Sequence, residues 1–447
     1  MHVSAHRMTV PGTIGCARLP VPRRPPHSGD LPSLMQPTER LLAGPPLDGR
    51  AESLARHHAR LGSLPSLPPA QMIAALEATG MLGRGGAGFP VGRKWRAIHD
   101  QHGGEAPVIV ANGAEGEPES AKDRVLMAHR PHLVIDGALL AAHTLGADRI
   151  ELYVGREHTQ AVGAMKAAVA ERPAHDRKLL HVVEAPIGYV AGESTAVVHY
   201  VNSKDARPVT TPPRMSERGV RNRPTLVQNV ESLAQAALIA RHGPDWFKEA
   251  GRGANRGTAL VTIAGPVRHE GVAEIELGTP LAELVELAGG LTSTPQAVLI
   301  GGYFGTWAPI DAAWNLPLDP VSLKAAGLTF GCGLVRILDA RSCGVDYSAR
   351  IMDFLAAGSA LQCGPCKFGL ADLAGASERV AAFGARPADL YDIERWAALV
   401  TGRGACRHPD GAAQQMSTAL AVFADDFASH AHRRRCLAGG AAIGAQR

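Results

Sequence analysis

A multidomain α/β protein built around a parallel sheet is the fold class this sequence predicts, and three features predict it. Strand and helix signals alternate from Val108 to His242, the pattern of a parallel sheet with helices on its faces. Two strands, a helix and a further strand follow within residues 258–300, which makes a second, smaller α+β unit. After Asp353 the chain turns helical and carries cysteine-bearing loops. At 447 residues it exceeds what one hydrophobic core accommodates, so about two to four domains are expected.

The elements can be justified in order. Residues 1–34 are rich in Pro, Arg, Gly and Ser and lack periodicity; they read as disordered, or as an extension upstream of a true start at Met35. Helical pattern begins near Pro37 and is strong over 69–79, where Gly80 ends it. Residues 108–110, 149–154 and 181–184 read as strands, and 131–144, 160–170 and 227–242 as helices. Residues 260–265, 272–277 and 297–300 read as strands of the smaller unit, with a helix over 281–288. The domains expected are an extension (1–34), an α/β domain with N-terminal helices (35–250), a small domain (251–335), a helical domain (336–432) and a tail (433–447).

Composition excludes several function classes. Hydrophobic residues make up 45% and charged residues 20%, and the net charge is +4, ordinary for a globular protein and no footprint of nucleic-acid binding. The basic runs Arg23-Arg24 and Arg433-Arg434-Arg435 lie in the tails, where solvated runs are expected. No uninterrupted apolar stretch reaches the roughly 18 residues of a membrane span, and no secretory signal is recognisable. Of seven cysteines, only Cys16 lies outside the last third. That clustering points to a metal or redox role in a reducing compartment, the cytoplasm by default.

Two local sequences carry binding chemistry. Gly83-Arg84-Gly85-Gly86-Ala87-Gly88-Phe89-Pro90 gives up side-chain packing so that backbone can approach a ligand closely. Its amides can cradle an anion, with Arg84 and Lys94 adding positive charge. The spacing is neither a dinucleotide fingerprint nor a P-loop, and by itself the loop could be merely flexible. Asn112-Gly113-Ala114-Glu115-Gly116-Glu117-Pro118 follows the 108–110 strand, where ligands of open α/β sheets bind; by itself it could be a solvated turn. Among the cysteines, Cys363-Gly364-Pro365-Cys366 with the remote Cys406 suits a soft metal or cluster. A thioredoxin-like dithiol is the rival reading, although residues 351–357 read as helix where that motif needs a strand.

These segments, with Lys94-Trp95, Lys122-Asp123-Arg124, 189–196 and 224–232, resemble in order and spacing the NADH-binding, FMN-carrying flavoprotein subunit of respiratory complex I, the family of NADH-quinone oxidoreductase F subunits. The resemblance covers roughly residues 37–430. It implies an FMN-binding parallel-sheet domain, a ubiquitin-like β-grasp (soluble-ligand-binding) domain and a C-terminal helical bundle with an iron–sulfur cluster. It places Gly83, Arg84, Gly85, Gly86 and Lys94 at the FMN phosphate and ribityl chain, and Asn112, Glu115, Gly116, Tyr189, Gly192, Glu193 and Asn229 around the rest of FMN. Glu117 and Phe89 fall where NADH is contacted, Phe89 stacking on adenine and Glu117 standing as the catalytic candidate. Cys363, Cys366 and Cys406 would ligate a 4Fe-4S or 3Fe-4S cluster.

The sequence departs from that pattern at identifiable positions. Ala97 and Arg214 stand where the family has stacking aromatics, Ser194 and Ala114 replace acids, and Ala360 replaces the first cluster cysteine. Each lost stacking partner removes about 0.5–1.5 kcal/mol, so two losses weaken NADH roughly 5- to 150-fold, unless Arg214 stacks by a cation–π contact. His408 and Cys343 are candidates for the missing cluster ligand. Cys332 reads as a buried small residue and Cys436 as an exposed thiol. The function implied is FMN-dependent oxidation of NADH or NADPH, with electrons passed to a separate iron–sulfur protein such as a ferredoxin. The alternative is a non-catalytic scaffold subunit of a larger electron-transfer complex, because residues 112–115 also resemble the flavoprotein-like subunit of Rnf-type ion-translocating complexes. Neither nucleic acid nor direct membrane insertion is expected.

Overall fold

The computed structural model describes residues 33–34, 39–47, 49–101 and 104–438. Cys16, Arg23-Arg24, Met35 and all of 1–32 lie outside the described residues. The described strands are, in chain order, β1 (Ser33–Leu34), β2 (Val108–Gly113), β3 (Arg149–Gly155), β4 (Leu180–Ala185), β5 (Thr225–Asn229), β6 (Thr258–Ala264), β7 (Gly271–Glu276), β8 (Pro295–Ile300), β9 (Thr306–Pro309) and β10 (Leu334–Asp339).

The first sheet has the order β4-β3-β2-β5 and is parallel throughout. Crossover helices join its strands, Lys122–His129 and Pro131–Leu145 between β2 and β3, and Thr159–Glu171 between β3 and β4. The chain winds outward from β2 to β4 and then returns to the opposite side of β2 as β5. The β2/β5 seam is therefore a topological switch point, where the segments leaving the two strands diverge and open a crevice. Residues 227–229, expected to be helical, belong to β5 instead. A short apolar run such as Thr225-Leu226-Val227 suits either state, and pairing of Leu226 with Ile109 and of Val227 with Val110 decides for strand. The Val230–Glu249 helix starts only after Asn229, whose side-chain oxygen accepts from the Glu231 amide at 3.0 Å.

The second sheet, β1-β7-β6-β10-β8-β9, is mixed. Its β6–β7 hairpin, the Leu281–Leu287 helix and a last strand β10 parallel to β6 make the β-grasp-like arrangement expected. Two features differ from the sequence reading. Ser33–Leu34, within the segment expected to be disordered, pairs in parallel with Val272 and Ala273. The run 334–339 is a central strand that passes through the boundary drawn at residue 335. The first helix among the described residues is Leu54–Leu61, held by the Ser53 cap, so the described residues of 39–53 are not helical.

The C-terminal helices Gly344–Ala357, Ala371–Ala381, Asp389–Val400 and His408–Val422 share a core with Leu299 and Trp307 of the second sheet and with Tyr303 of the loop between β8 and β9. No helix among the described residues is long and apolar enough to cross a membrane. The largest core surrounds the Pro131–Leu145 helix, which is buried along nearly its whole length against the first sheet and the Val230–Glu249 helix. Burying side chains such as Leu133 and Ile135 contributes about 1.5–3 kcal/mol each. Gly137 permits the close helix crossing, since a Cβ there would lie 2.0 Å from the Leu233 carbonyl oxygen.

Gly137→Ala should force these two helices apart and destabilise the chain by about 1–3 kcal/mol or more, seen as a lower unfolding temperature by calorimetry. Gly163→Ala, in the Thr159–Glu171 helix with open space at its Cβ position, should be neutral or slightly stabilising.

Candidate functional site

The glycine loop crosses the switch point as a closed turn. The Gly83 amide donates to the Phe89 carbonyl at 2.9 Å, and Leu82 pairs with Pro90. Gly86 and Gly88 take φ of 99° and 62°, which a side chain would resist, and a Cβ at either meets only open space. On its other side the loop lies on β5, with a Cβ at Gly85 coming 3.3 Å from the Asn229 Cβ. Phe89, 52% exposed, projects beside the loop.

The two cations assigned to this loop behave differently. Arg84 turns inward: its amide donates to Ser232 Oγ at 2.9 Å, its guanidinium donates to the Thr258 carbonyl at 3.0 Å, and Nε lies 3.7 Å from Glu231 Oε1. A buried guanidinium goes to a buried carboxylate, so Arg84 braces the loop from beneath. Lys94, on the Val91–His99 helix, instead donates to the Val227 carbonyl in the middle of β5. Burial unrelieved by a carboxylate pulls its pKa down to about 8.

At the strand ends Asn112 stands opposite Asn229 across the β2/β5 ladder. Asn112 Nδ2 donates to the Gly192 carbonyl at 3.0 Å, and Asn229 Nδ2 to Asp123 at 2.8 Å. Glu115, with φ of 45°, folds its carboxylate back onto the start of the Lys122–His129 helix. It accepts there from Ser120 Oγ, Asp123 N and Arg124 N at 2.7–3.0 Å. Burial alone would raise its pKa, but the charges of Arg124, His158 and Lys122 and the Asp123 amide outweigh that and hold it low. Gly116 is packed so closely that a Cβ would sit 2.9 Å from the Tyr189 carbonyl oxygen.

Glu117 has the reverse chemistry. Its Oε2 accepts from the Tyr303 amide at 2.7 Å and from the Tyr189 hydroxyl at 3.3 Å, while the buried Oε1 has no hydrogen-bond partner. Burial pushes its pKa up to about 8, and the neighbouring Glu119 adds to the rise. Glu119 accepts from the Tyr303 and Tyr347 hydroxyls at 3.1 and 2.5 Å and lies 3.2 Å from Arg336. Cys332, whose Sγ is 3.4 Å from the Gly301 carbonyl, also borders Glu117. Glu119, Tyr303, Cys332, Arg336 and Tyr347 were not recognised from sequence as members of this site. Glu119 alone had a local signal, lying two residues past Glu117; the others arrive from the second sheet and the Gly344–Ala357 helix.

Tyr189 joins this pocket to the cysteines. Its ring packs edge-on against Phe304, Phe354 and His408, with centroids at 4.7, 5.9 and 5.7 Å. Glu193 caps the Ser194–Ser203 helix through the Thr195 and Ala196 amides at 2.8 and 3.0 Å and also faces Cys406. Cys363, Cys366 and Cys406 converge. Burial and the other two thiols push Cys366 up to about 12, and burial raises Cys406.

The two candidates for the missing ligand are placed differently. Cys343 lies elsewhere, its Sγ 3.4 Å from His430 Nε2 and grouped with Cys436 within 4.8 Å. His408 donates through Nε2 to the Leu355 carbonyl at 2.7 Å, and its buried Nδ1 has no hydrogen-bond partner. Cys436, expected to be an exposed thiol, is partly buried against the helical core. Ala97 and Arg214, at the positions of the absent aromatics, are both exposed.

These residues fit FMN. A buried cation without a carboxylate, an open glycine loop and side-chain amides meet at one switch point, as an anionic, polar-edged ligand requires. The thiols fit an iron–sulfur cluster at three ligand positions. One consequence can be measured without either group. An unfolded Glu117 would titrate near its ordinary value of about 4.3, so its raised folded pKa costs stability progressively from about pH 4.3 to 8. Below that window both states are protonated, and above it the cost is complete. Glu117→Gln should therefore be near-neutral at pH 4 and gain on the wild type up to pH 8, reaching on the order of a few kcal/mol in denaturant unfolding.

Comparison with known proteins agrees with this geometry. Residues 76–238 match the family described as the Nuo51 FMN-binding domain, 260–302 the SLBB domain, and 346–430 the NADH-ubiquinone oxidoreductase-F iron-sulfur binding region. The chain is 32% identical over 385 residues to the NADH-quinone oxidoreductase F subunit 2 of Rhizobium meliloti (strain 1021), covering 82% of this chain and 90% of that protein. It is 27% identical over 399 residues to the NADP-reducing hydrogenase subunit HndC of Solidesulfovibrio fructosivorans, covering 86% of this chain and 80% of that one. Crystal structures of NAD+-reducing NiFe hydrogenase superpose on it with TM-scores of 0.75 (H2-reduced) and 0.79 (air-oxidised), at 28% and 27% identity. The matches cover 81% and 90% of this chain, which spans 62% and 68% of the respective hydrogenase chains. A switch-point crevice with a glycine loop and an adjoining thiol cluster, in a chain this similar over nine-tenths of a curated relative, belongs to the family of NADH-quinone oxidoreductase F subunits.

Proposed function

We propose that this chain binds FMN at the β2/β5 switch point, oxidises NADH there and delivers electrons singly through its thiol-held cluster to an iron–sulfur partner. The observation that carries this reading is the position of Tyr189. Its hydroxyl donates to Glu117 and its ring packs on His408, two residues from Cys406, so pocket and cluster share one wall. FMN, when bound, accepts a hydride and releases electrons one at a time.

The chain's own residues do the rest. Amides of Gly85 and Gly86 and the Lys94 ammonium bind the phosphate and ribityl end, with the Gly83 amide closing the turn on the Phe89 carbonyl and Arg84 bracing the loop. Asn112, Gly116, Tyr189, Gly192 and Asn229 line the crevice, while Glu115 and Glu193 hold its walls by capping two helices. Phe89 offers its exposed face to the adenine. Glu117, kept protonated by burial at neutral pH, holds a proton beside the hydride path and adds no negative charge there. A ferredoxin-like protein is the acceptor we favour, and the cytoplasm suits thiols kept reduced. The exposed Ala97 and Arg214 favour a second reading, a flavin-bearing scaffold that does not take electrons from NADH.

Anaerobic titration separates the two. Bleaching of the bound flavin by stoichiometric NADH or NADPH is expected; flavin that dithionite reduces and neither nucleotide does would leave only the scaffold. Lys94→Met should lower FMN retention about 10- to 100-fold, the loss of one charge-assisted hydrogen bond, measured by flavin fluorescence after dialysis.

A further inference from the structure

We propose that Ser359 supplies, through its Oγ, the fourth protein ligand to the cluster held by Cys363, Cys366 and Cys406. The assignment rests on the cluster reading above and concerns which atom completes it. Ser359 follows the Gly344–Ala357 helix, its amide donating to the Ala356 carbonyl at 3.3 Å. Leu361, at φ of 53°, turns the chain back toward Cys363. The Ser359 Oγ is buried without a conventional hydrogen-bond partner, a state that is unfavourable unless something binds it. Its neighbour is the Cys366 sulfur.

A cubane cluster takes four ligands, and among the described residues three thiols meet here. Ala360 has no donor atom. Ser359 is its chain neighbour, one Cα step of about 3.8 Å away. Cys343 is held with His430 and Cys436, and His408, tied by Nε2 to the backbone with its buried Nδ1 unpartnered, is the rival ligand that the His408→Gln variant tests. Ligation would form one Fe–O bond and release the hydroxyl proton to solvent, as metal ligands must deprotonate. No oxidant or reductant is consumed.

The test uses the full-length chain, reconstituted anaerobically with ferrous iron and sulfide, with bound flavin as the folding control. Iron per chain and the EPR spectrum are read for the wild type, Ser359→Ala, Ser359→Cys and His408→Gln. About four irons are expected in the wild type and about three in Ser359→Ala, with the signal of an oxidised three-iron cluster. Ser359→Cys should keep four irons with an altered spectrum, and His408→Gln should match the wild type. Four irons and an unchanged spectrum in Ser359→Ala overturn the assignment while leaving the cluster intact. So does a Ser359→Cys spectrum identical to the wild type, or iron lost from His408→Gln alone. A wild type that retains flavin and binds no iron overturns the cluster reading itself, and this assignment with it.

Discussion

Glu231 is fully buried at the first turn of the Val230–Glu249 helix, and four segments of the chain meet on its carboxylate. Lys122 donates to it at 2.9 Å, the Leu260 amide of β6 donates at 2.9 Å, and the Arg84 guanidinium stands 3.7 Å away. A carboxylate this far from water is tolerated only when paired and hydrogen-bonded, so the requirement runs both ways. Lys122, equally buried, stays protonated because Asp123 and Glu231 outweigh its desolvation. The glycine loop, the acidic segment, the capped helix and the second sheet are thereby held at fixed separations, and the crevice between them has a defined width.

The chemistry on the other side of the crevice rests on a second junction. Glu117 leaves the first sheet, Tyr303 comes from the loop after β8, and Tyr347 comes from the Gly344–Ala357 helix, bonded through Glu119. Three structural units therefore share one hydrogen-bond network, and small shifts between them would change the hydration of Glu117. Since burial is the main cause of its raised pKa, its protonation reports how tightly the units are packed. The same packing brings Tyr189 between the pocket and His408, so the geometry that keeps Glu117 protonated also brings the thiols near the flavin crevice.

Much of this was legible in the chain. The parallel sheet, its crossover helices and the glycine loop follow from local periodicity and glycine spacing, and the ordered motifs 83–90, 112–118, 189–196 and 224–232 carry the family. Local reading failed where pairing partners are distant. Residues 227–229 have apolar character that suits helix or strand, and β2 chose strand. Strand β10 was unread because its pairing to β6 and β8 comes from far along the chain.

Sequence by itself determined which residues could do chemistry, because glycines, amides, carboxylates and thiols declare their capacities by type and spacing. Only the tertiary structure decided which of them do it. Arg84 and Lys94 are equivalent cations in the text, yet burial beside Glu231 assigns one to bracing and isolation from carboxylates leaves the other for a ligand. Glu115 and Glu117 are two residues apart, and the charges of Arg124, His158 and Lys122 hold the first low while desolvation raises the second. Cys343 and Ser359 exchange the places their residue types suggest, since one thiol is turned to His430 and one hydroxyl is buried against Cys366. The reason is general: a pKa, an orphaned donor or a ligand set is a property of surroundings, and those surroundings are assembled from segments far apart in the chain.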